Sequence, residues 1–180
     1  ITTMRRLQIF TLFSLVTLLS LSAVSAQDHR YDAGVSRELA EWRKATISDL
    51  RYELSFDLIE NCGVANITLS TSNKQDIIFD FRNTDKVYAV YDLDSDEHLD
   101  YRCENEHIII AANALEGREM PLQIAINFGI DNQSLNRKPD FLYTLLVPDR
   151  ARTLFPCFDQ PDMKAEYNLS LRLPEGWVAV

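Results

Sequence analysis

The chain has 180 residues, of which 46% are hydrophobic and 25% charged, with five glycines and six prolines. That is the composition of one ordinary globular domain and excludes a disordered or collagen-like chain. Asp and Glu outnumber Lys and Arg by 27 to 18, a formal net charge of −9; cations scattered through an acidic chain exclude the clustered basic surface that a nucleic-acid partner requires.

The first element in chain order is a targeting segment. Met4, Arg5 and Arg6 form a basic start, residues 9–21 an apolar run, and Val24, Ser25 and Ala26 supply the small side chains of a cleavage site. An uncleaved membrane anchor is the alternative, but the run is short for the roughly 20 residues that cross a bilayer. Residues 1–26 are therefore expected to be a signal peptide cut after Ala26, with residues 1–3 lying upstream of the start and the product exported to the periplasm or the extracellular space. No second long apolar run follows, so no membrane partner is expected after cleavage.

Residues 27–46 read as a polar lead-in and a short helix. Ser36 suits the N-cap, Glu38 the positive end, Arg43 and Lys44 the negative end, and Leu39, Trp42 and Arg43 form one packing stripe that would brace a sheet. From residue 47 the period becomes two. Tyr52, Leu54, Phe56 and Leu58 alternate with polar residues, and after a turn around Asn61 to Gly63 so do Ala65, Ile67 and Leu69, which predicts an antiparallel hairpin. Further strands are predicted at 77–81, 86–91, 99–103, 107–111, 122–128 and 167–173. Strands at this spacing with one helix define an all-β chain, an antiparallel β-sandwich or open barrel. The polar run 131–140 reads as a loop, functional or merely solvated. Residues 177–180 read as part of another strand, so the β domain over 47–180 is expected to be incomplete at its C-terminal end.

Catalytic machinery is not legible. His29, His98 and His107 are far apart and never at the i, i+4 spacing of a helical zinc pair; they read as exposed or strand-edge polar residues. There is no HExxH, no Gly-x-Ser-x-Gly and no phosphate-binding glycine loop. Asp92, Asp94, Asp96 and Glu97 lack the glycine and the distal acid of a calcium loop and read as a solvated turn. Cys62, Cys103 and Cys157 are an odd set: Cys62 and Cys103 could bridge in an oxidising compartment, or all three could be buried free thiols. No catalytic residue and no metal ligand is assigned within the chain.

Residues 143–180 are unusual for a loop and its following strand. Phe155, Cys157 and Phe158 are apolar, Pro156 and Pro161 interrupt any ladder, and Asp159 and Asp162 flank a turn at Gln160 and Pro161. Such a loop must either fold onto its own core or press against another domain. The run from Arg152 through Phe155-Pro156-Cys157-Phe158-Asp159-Gln160-Pro161-Asp162 to Lys164 and Ala165, followed by Pro174, Trp177 and Ala179, resembles the "AR-x-x-FPCFDEPD-x-KA … P-x-x-W-x-A" signature of the N-terminal domain of aminopeptidase N and leukotriene A hydrolase relatives. The change within the central octet is Gln160, where Glu is usual. Residues 47–56 resemble the opening strand of the same domain more weakly.

The resemblance implies a saddle-shaped β domain docked on a thermolysin-like catalytic domain. That domain would lie beyond residue 180 and carry the zinc cofactor, HExxH and a distal Glu, with zinc activating water and the HExxH glutamate as general base. Peptides would be substrates through that domain, and this chain alone would be inactive. Arg152, Phe155, Pro156, Cys157, Phe158, Asp159, Pro161 and Asp162 would form a domain-interface motif, whose apolar members would be exposed in isolation. Relatives also lend a Gln or Glu from the preceding segment to hold the substrate's α-amino group. Leu145 and Val147 stand at those positions as substrate-binding candidates, and neither can accept a hydrogen bond. The rival reading is a non-catalytic β-sandwich that binds peptides or a protein partner.

Overall fold

In the computed structural model, which describes residues 28–72 and 75–180, Ser36 is extended and its side chain accepts from the Leu39 amide at 3.1 Å. This cap starts helix α1 (Arg37–Thr46) where the sequence placed it. The expected signal peptide lies outside the described residues. Among the described residues no helix is long and apolar enough to cross a membrane.

Eleven strands follow among the described residues. β1 (Ile47–Asp57) and β2 (Cys62–Thr71) form the predicted hairpin, with alternate side chains buried along both. Its turn is closed by Asp57, whose carboxylate accepts from the amides of Ile59 and Glu60, and by Asn61 at φ 55, a left-handed position that Asn tolerates. β3 (Ile77–Asp80), β4 (Val87–Asp92), β5 (Glu97–His98), β6 (Tyr101–Glu104), β7 (His107–Ile110) and β8 (Leu122–Gly129) are followed by β9 (Leu135–Arg137), β10 (Leu142–Thr144) and β11 (Glu166–Arg172).

A six-stranded sheet runs β11-β1-β2-β8-β4-β5, a three-stranded sheet runs β3-β7-β6, and β10 pairs with β9. All pairs are antiparallel except β11 on β1, which is parallel because residues 145–165 cross over the core before the chain returns to the sheet. One apolar core combines side chains of both larger sheets, among them Tyr52, Phe56, Phe79, Phe128 and Ile108. The outer face of the three-stranded sheet is covered by α1, with Leu39 packed on Ile78 and Ile109. This explains why Ile77–Phe79 of β3 and Ile108–Ile110 of β7 are consecutive apolar residues: every residue of each strand is buried, alternate ones under the helix and in the core.

Four expectations need correction. The run 131–140 is not simply a loop, since it contains β9. Residues 177–180 belong to no strand. Cys103 is exposed and Cys62 half-buried; only Cys157 is a buried thiol, and none of the three is bridged. His107 is fully buried rather than at a wet edge, because α1 and its lead-in cover the sheet that carries it.

β11 forms one edge of the large sheet. Tyr167, Leu169 and Leu171 stand in register with Tyr52, Leu54 and Phe56, yet are exposed, whereas their partners on β1 are buried.

Candidate functional site

The segment between β10 and β11 holds every site residue read from the sequence. Its second half, from Ala151, is fastened inside the molecule. Cys157 and Asp80 exchange two backbone hydrogen bonds, of 2.8 and 3.1 Å, and the Arg82 amide donates to the Arg152 carbonyl at 2.9 Å. Phe155 and Phe158 are each only 4% exposed. Phe155 sits edge-on to Tyr52 and Phe56, and Phe158 stacks on Phe79 with centroids 4.8 Å apart. The Tyr52 hydroxyl, buried and with its pKa pushed well above the ordinary range by desolvation, accepts from the Phe158 amide at 3.0 Å. The expectation that this loop exposes apolar surface is thus overturned. Its aromatic side chains fill this chain's own core, while Pro161 and Asp162 reach the surface.

The same loop closes a buried charge network. Arg43 of α1 and Asp80 of β3, both 0% exposed, form a two-pronged ion pair of 2.8 and 2.7 Å. Asp80 also accepts from the Asp159 amide at 2.8 Å, and His107 Nδ1 lies 3.1 Å from it, in ion-pair range but off the hydrogen-bonding line. The other ring nitrogen of His107 lies 2.8 Å from the Asp32 carbonyl. Burial alone would raise the Asp80 pKa, but the Arg43 charge, the adjacent His107 ring nitrogen and the bonds from Arg43 and Asp159 outweigh it and hold the carboxyl below its usual range. The Arg43 guanidinium lies 5.0 Å from the Phe158 ring centroid, donates to the Ile78 carbonyl and reaches Gln160 Oε1 at 3.4 Å.

Gln160 Nε2 in turn donates to the Ala40 carbonyl and to Asp162. A glutamate at this position would have no N–H for the helix carbonyl. The departure from the resembled motif therefore ties the loop to α1. Arg152 is buried against Asp149 and Glu106; burial opposes its charge, and the two carboxylates raise its pKa nonetheless. The Asp159 carboxyl is raised by desolvation although it accepts from the Arg152 amide.

The first half of the segment is of a different kind. After β10, Leu145 and Val147 are 58% and 56% exposed, and Phe141, Tyr143 and Leu146 are exposed beside them in sequence. Leu145 and Val147 line a cleft of about 230 Å³ together with Gln133, Ser134, Asn136 and Arg150. Both candidates thus meet in one cleft with β9. Arg150 was missed, because nothing in the local pattern marks it. His107 and Asp80 were missed as a pair because they come from different strands. The only local signals were Arg43 on an otherwise apolar stripe and Asp80 in an apolar run.

A larger cleft of about 490 Å³ beside Arg118 lies elsewhere, at the β4–β5 turn. Its guanidinium is taken up by Asp92, Ser95 and Glu97, so part of the acidic turn is an ion-pair cluster. Among the described residues no group of three His, Cys, Asp or Glu could hold a metal ion.

The described residues form a mostly β domain with one bracing α-helix and a core-filling Phe-Pro-Cys-Phe loop. The sequence model of the Peptidase M1 N-terminal domain matches residues 48–180, and the chain belongs to that family. Over 41 residues it is 46% identical to aminopeptidase N of Streptomyces lividans, a stretch that is 22% of this chain and 5% of that protein. The fold is shared with Legionella pneumophila aminopeptidase A in complex with aspartic acid, at 17% identity and TM-score 0.56, covering 70% of this chain and 16% of that one. It is shared with native yeast LTA4 hydrolase at 16% identity and TM-score 0.56, covering 87% and 26%. The chain therefore spans only a small part of the length of these relatives.

Proposed function

We propose that this chain is the non-catalytic N-terminal domain of an exported, zinc-dependent aminopeptidase that removes N-terminal residues from peptides. The observation that carries the reading is the Arg152–Ala165 motif within a family match over residues 48–180. In this reading zinc and its ligands belong to a following domain, where the metal supplies an activated water, and this chain alone is inactive. Its own contribution is a rigid platform. The loop fastened to Asp80 fixes where the 145–150 segment emerges, and that segment forms one wall of the substrate's approach.

Leu145 and Val147 give that wall aliphatic side chains, which cannot accept from the substrate's ammonium group, so the following domain anchors the N-terminus by itself. The same aliphatic pair favours a second reading, a binding module that holds peptides or a protein without cutting them. Hydrolysis of aminoacyl-nitroanilides by the full-length product, abolished by a chelator and restored by zinc, is expected from the first reading. Peptide binding by a zinc-loaded full-length protein that cleaves none of them would sink it in favour of the second.

A further inference from the structure

We propose that Arg150 makes the cleft beside Leu145 and Val147 a receptor for a peptide carboxylate, so that acidic peptides are the preferred ligands of the whole protein. The inference rests on the reading of that cleft as a wall of the substrate site.

A tight turn puts the cation there. The Arg150 amide donates to the Val147 carbonyl at 3.0 Å, Pro148 holds the second position, and Asp149 takes φ 66 at the third, the pattern of a type II turn. The turn folds Arg150 back beside Val147, and both line the cleft. Proline fixes the backbone in advance, so little ordering is needed on binding. The Arg150 carbonyl is also held from within, accepting from the hydroxyls of Thr153 at 2.8 Å and Ser134 at 3.3 Å.

The guanidinium itself is unsatisfied. Every other described arginine makes a side-chain hydrogen bond or ion pair, whereas that of Arg150 has no partner among the described residues. Arg137 also has no carboxylate partner, but its guanidinium is held by the Leu58 carbonyl and Asn61. The adjacent acid, Asp149, is occupied by Arg152. No Asp or Glu lines the cleft, while Gln133 and Asn136 add amide groups that make no side-chain hydrogen bond among the described residues. One cation, two free amides and two aliphatic side chains match a carboxylate attached to an apolar stem. An ammonium or guanidinium ligand would meet only repulsion from Arg150. An arginine also grips a carboxylate with two parallel N–H donors, which adds direction to the attraction.

The test is binding to the full-length protein, measured by calorimetry with three peptides: Asp-Ala-Ala-amide, Ala-Ala-Ala with a free C-terminus, and Ala-Ala-Ala-amide. The first two separate a side-chain carboxylate from a terminal one. At least one is expected to bind about tenfold more tightly than the amide that lacks a carboxylate, with the preference shrinking as salt is raised and vanishing in Arg150→Gln. Equal binding of all three overturns the proposal. So does an Arg150→Gln protein that keeps the preference, or one that loses thermal stability without changing it, which would assign the guanidinium to a contact within the protein. Nitroanilide cleavage is scored separately. A carboxylate preference without cleavage sinks the aminopeptidase reading and leaves this site standing, and cleavage without the preference does the reverse.

Discussion

Two successive ten-residue stretches, 141–150 and 151–160, are both rich in large apolar residues, yet they end in opposite environments. In the second, Phe155, Cys157 and Phe158 are buried, and Arg152 is enclosed by two carboxylates. In the first, Phe141, Tyr143, Leu145, Leu146 and Val147 face outward and Arg150 has no acid. Apolar character alone does not decide burial. The second stretch has a docking frame, in the backbone exchange with Asp80 and the hydroxyl of Tyr52, and the first has only the short β9 to pair with. Burial of the frame keeps the loop in place, and exposure of the ridge leaves it free to meet a ligand or another domain.

The hardest blow to this contrast is Asp80→Ala. It leaves Arg43 and His107 buried without their carboxylate, and a loss of about 3–5 kcal/mol is expected in denaturant unfolding. A loss below about 1 kcal/mol would show that the network does not hold the loop. The same carboxylate sets a pH dependence. Its folded pKa lies below the unfolded value of about 3.9, so its contribution is fully present above that value and is lost as pH falls through the depressed folded one. Asp80→Asn is expected to flatten the acid limb of stability measured from pH 7 down to about 2, and an unchanged limb would assign acid unfolding to other carboxylates.

Tyr52→Phe is milder. It removes the acceptor of the Phe158 amide and leaves a buried N–H unpaired, so a loss of about 1–3 kcal/mol is expected. Smallest of all, Leu145→Ser and Val147→Ser should each change stability by less than about 0.5 kcal/mol, because their side chains are mostly in water. A loss above about 2 kcal/mol at either position would place the ridge in a core and erase the difference between the two stretches.

Much of the fold was legible in the sequence because its signals are local. Alternation in β1 and β2 reports one buried face per strand, and Ser36 with Leu39, Trp42 and Arg43 reports a capped, one-sided helix. β9 was hidden because three residues, Leu135, Asn136 and Arg137, are too few to show a period. The site was legible only as a motif: Arg152–Asp162 could be recognised, but whether its aromatics faced in or out could not.

By itself, then, the sequence determined the strands, the helix and the family loop, since each rests on neighbours within a few residues. Tertiary structure alone decided the rest. It joined Arg43, Asp80, His107 and Gln160 from four separate elements into one dry cluster, where a charge is tolerable only with its partners present. It also set Arg150 beside Val147 in a cleft lined by no carboxylate, a fact about which groups make up a neighbourhood, and a neighbourhood exists only once the chain has folded.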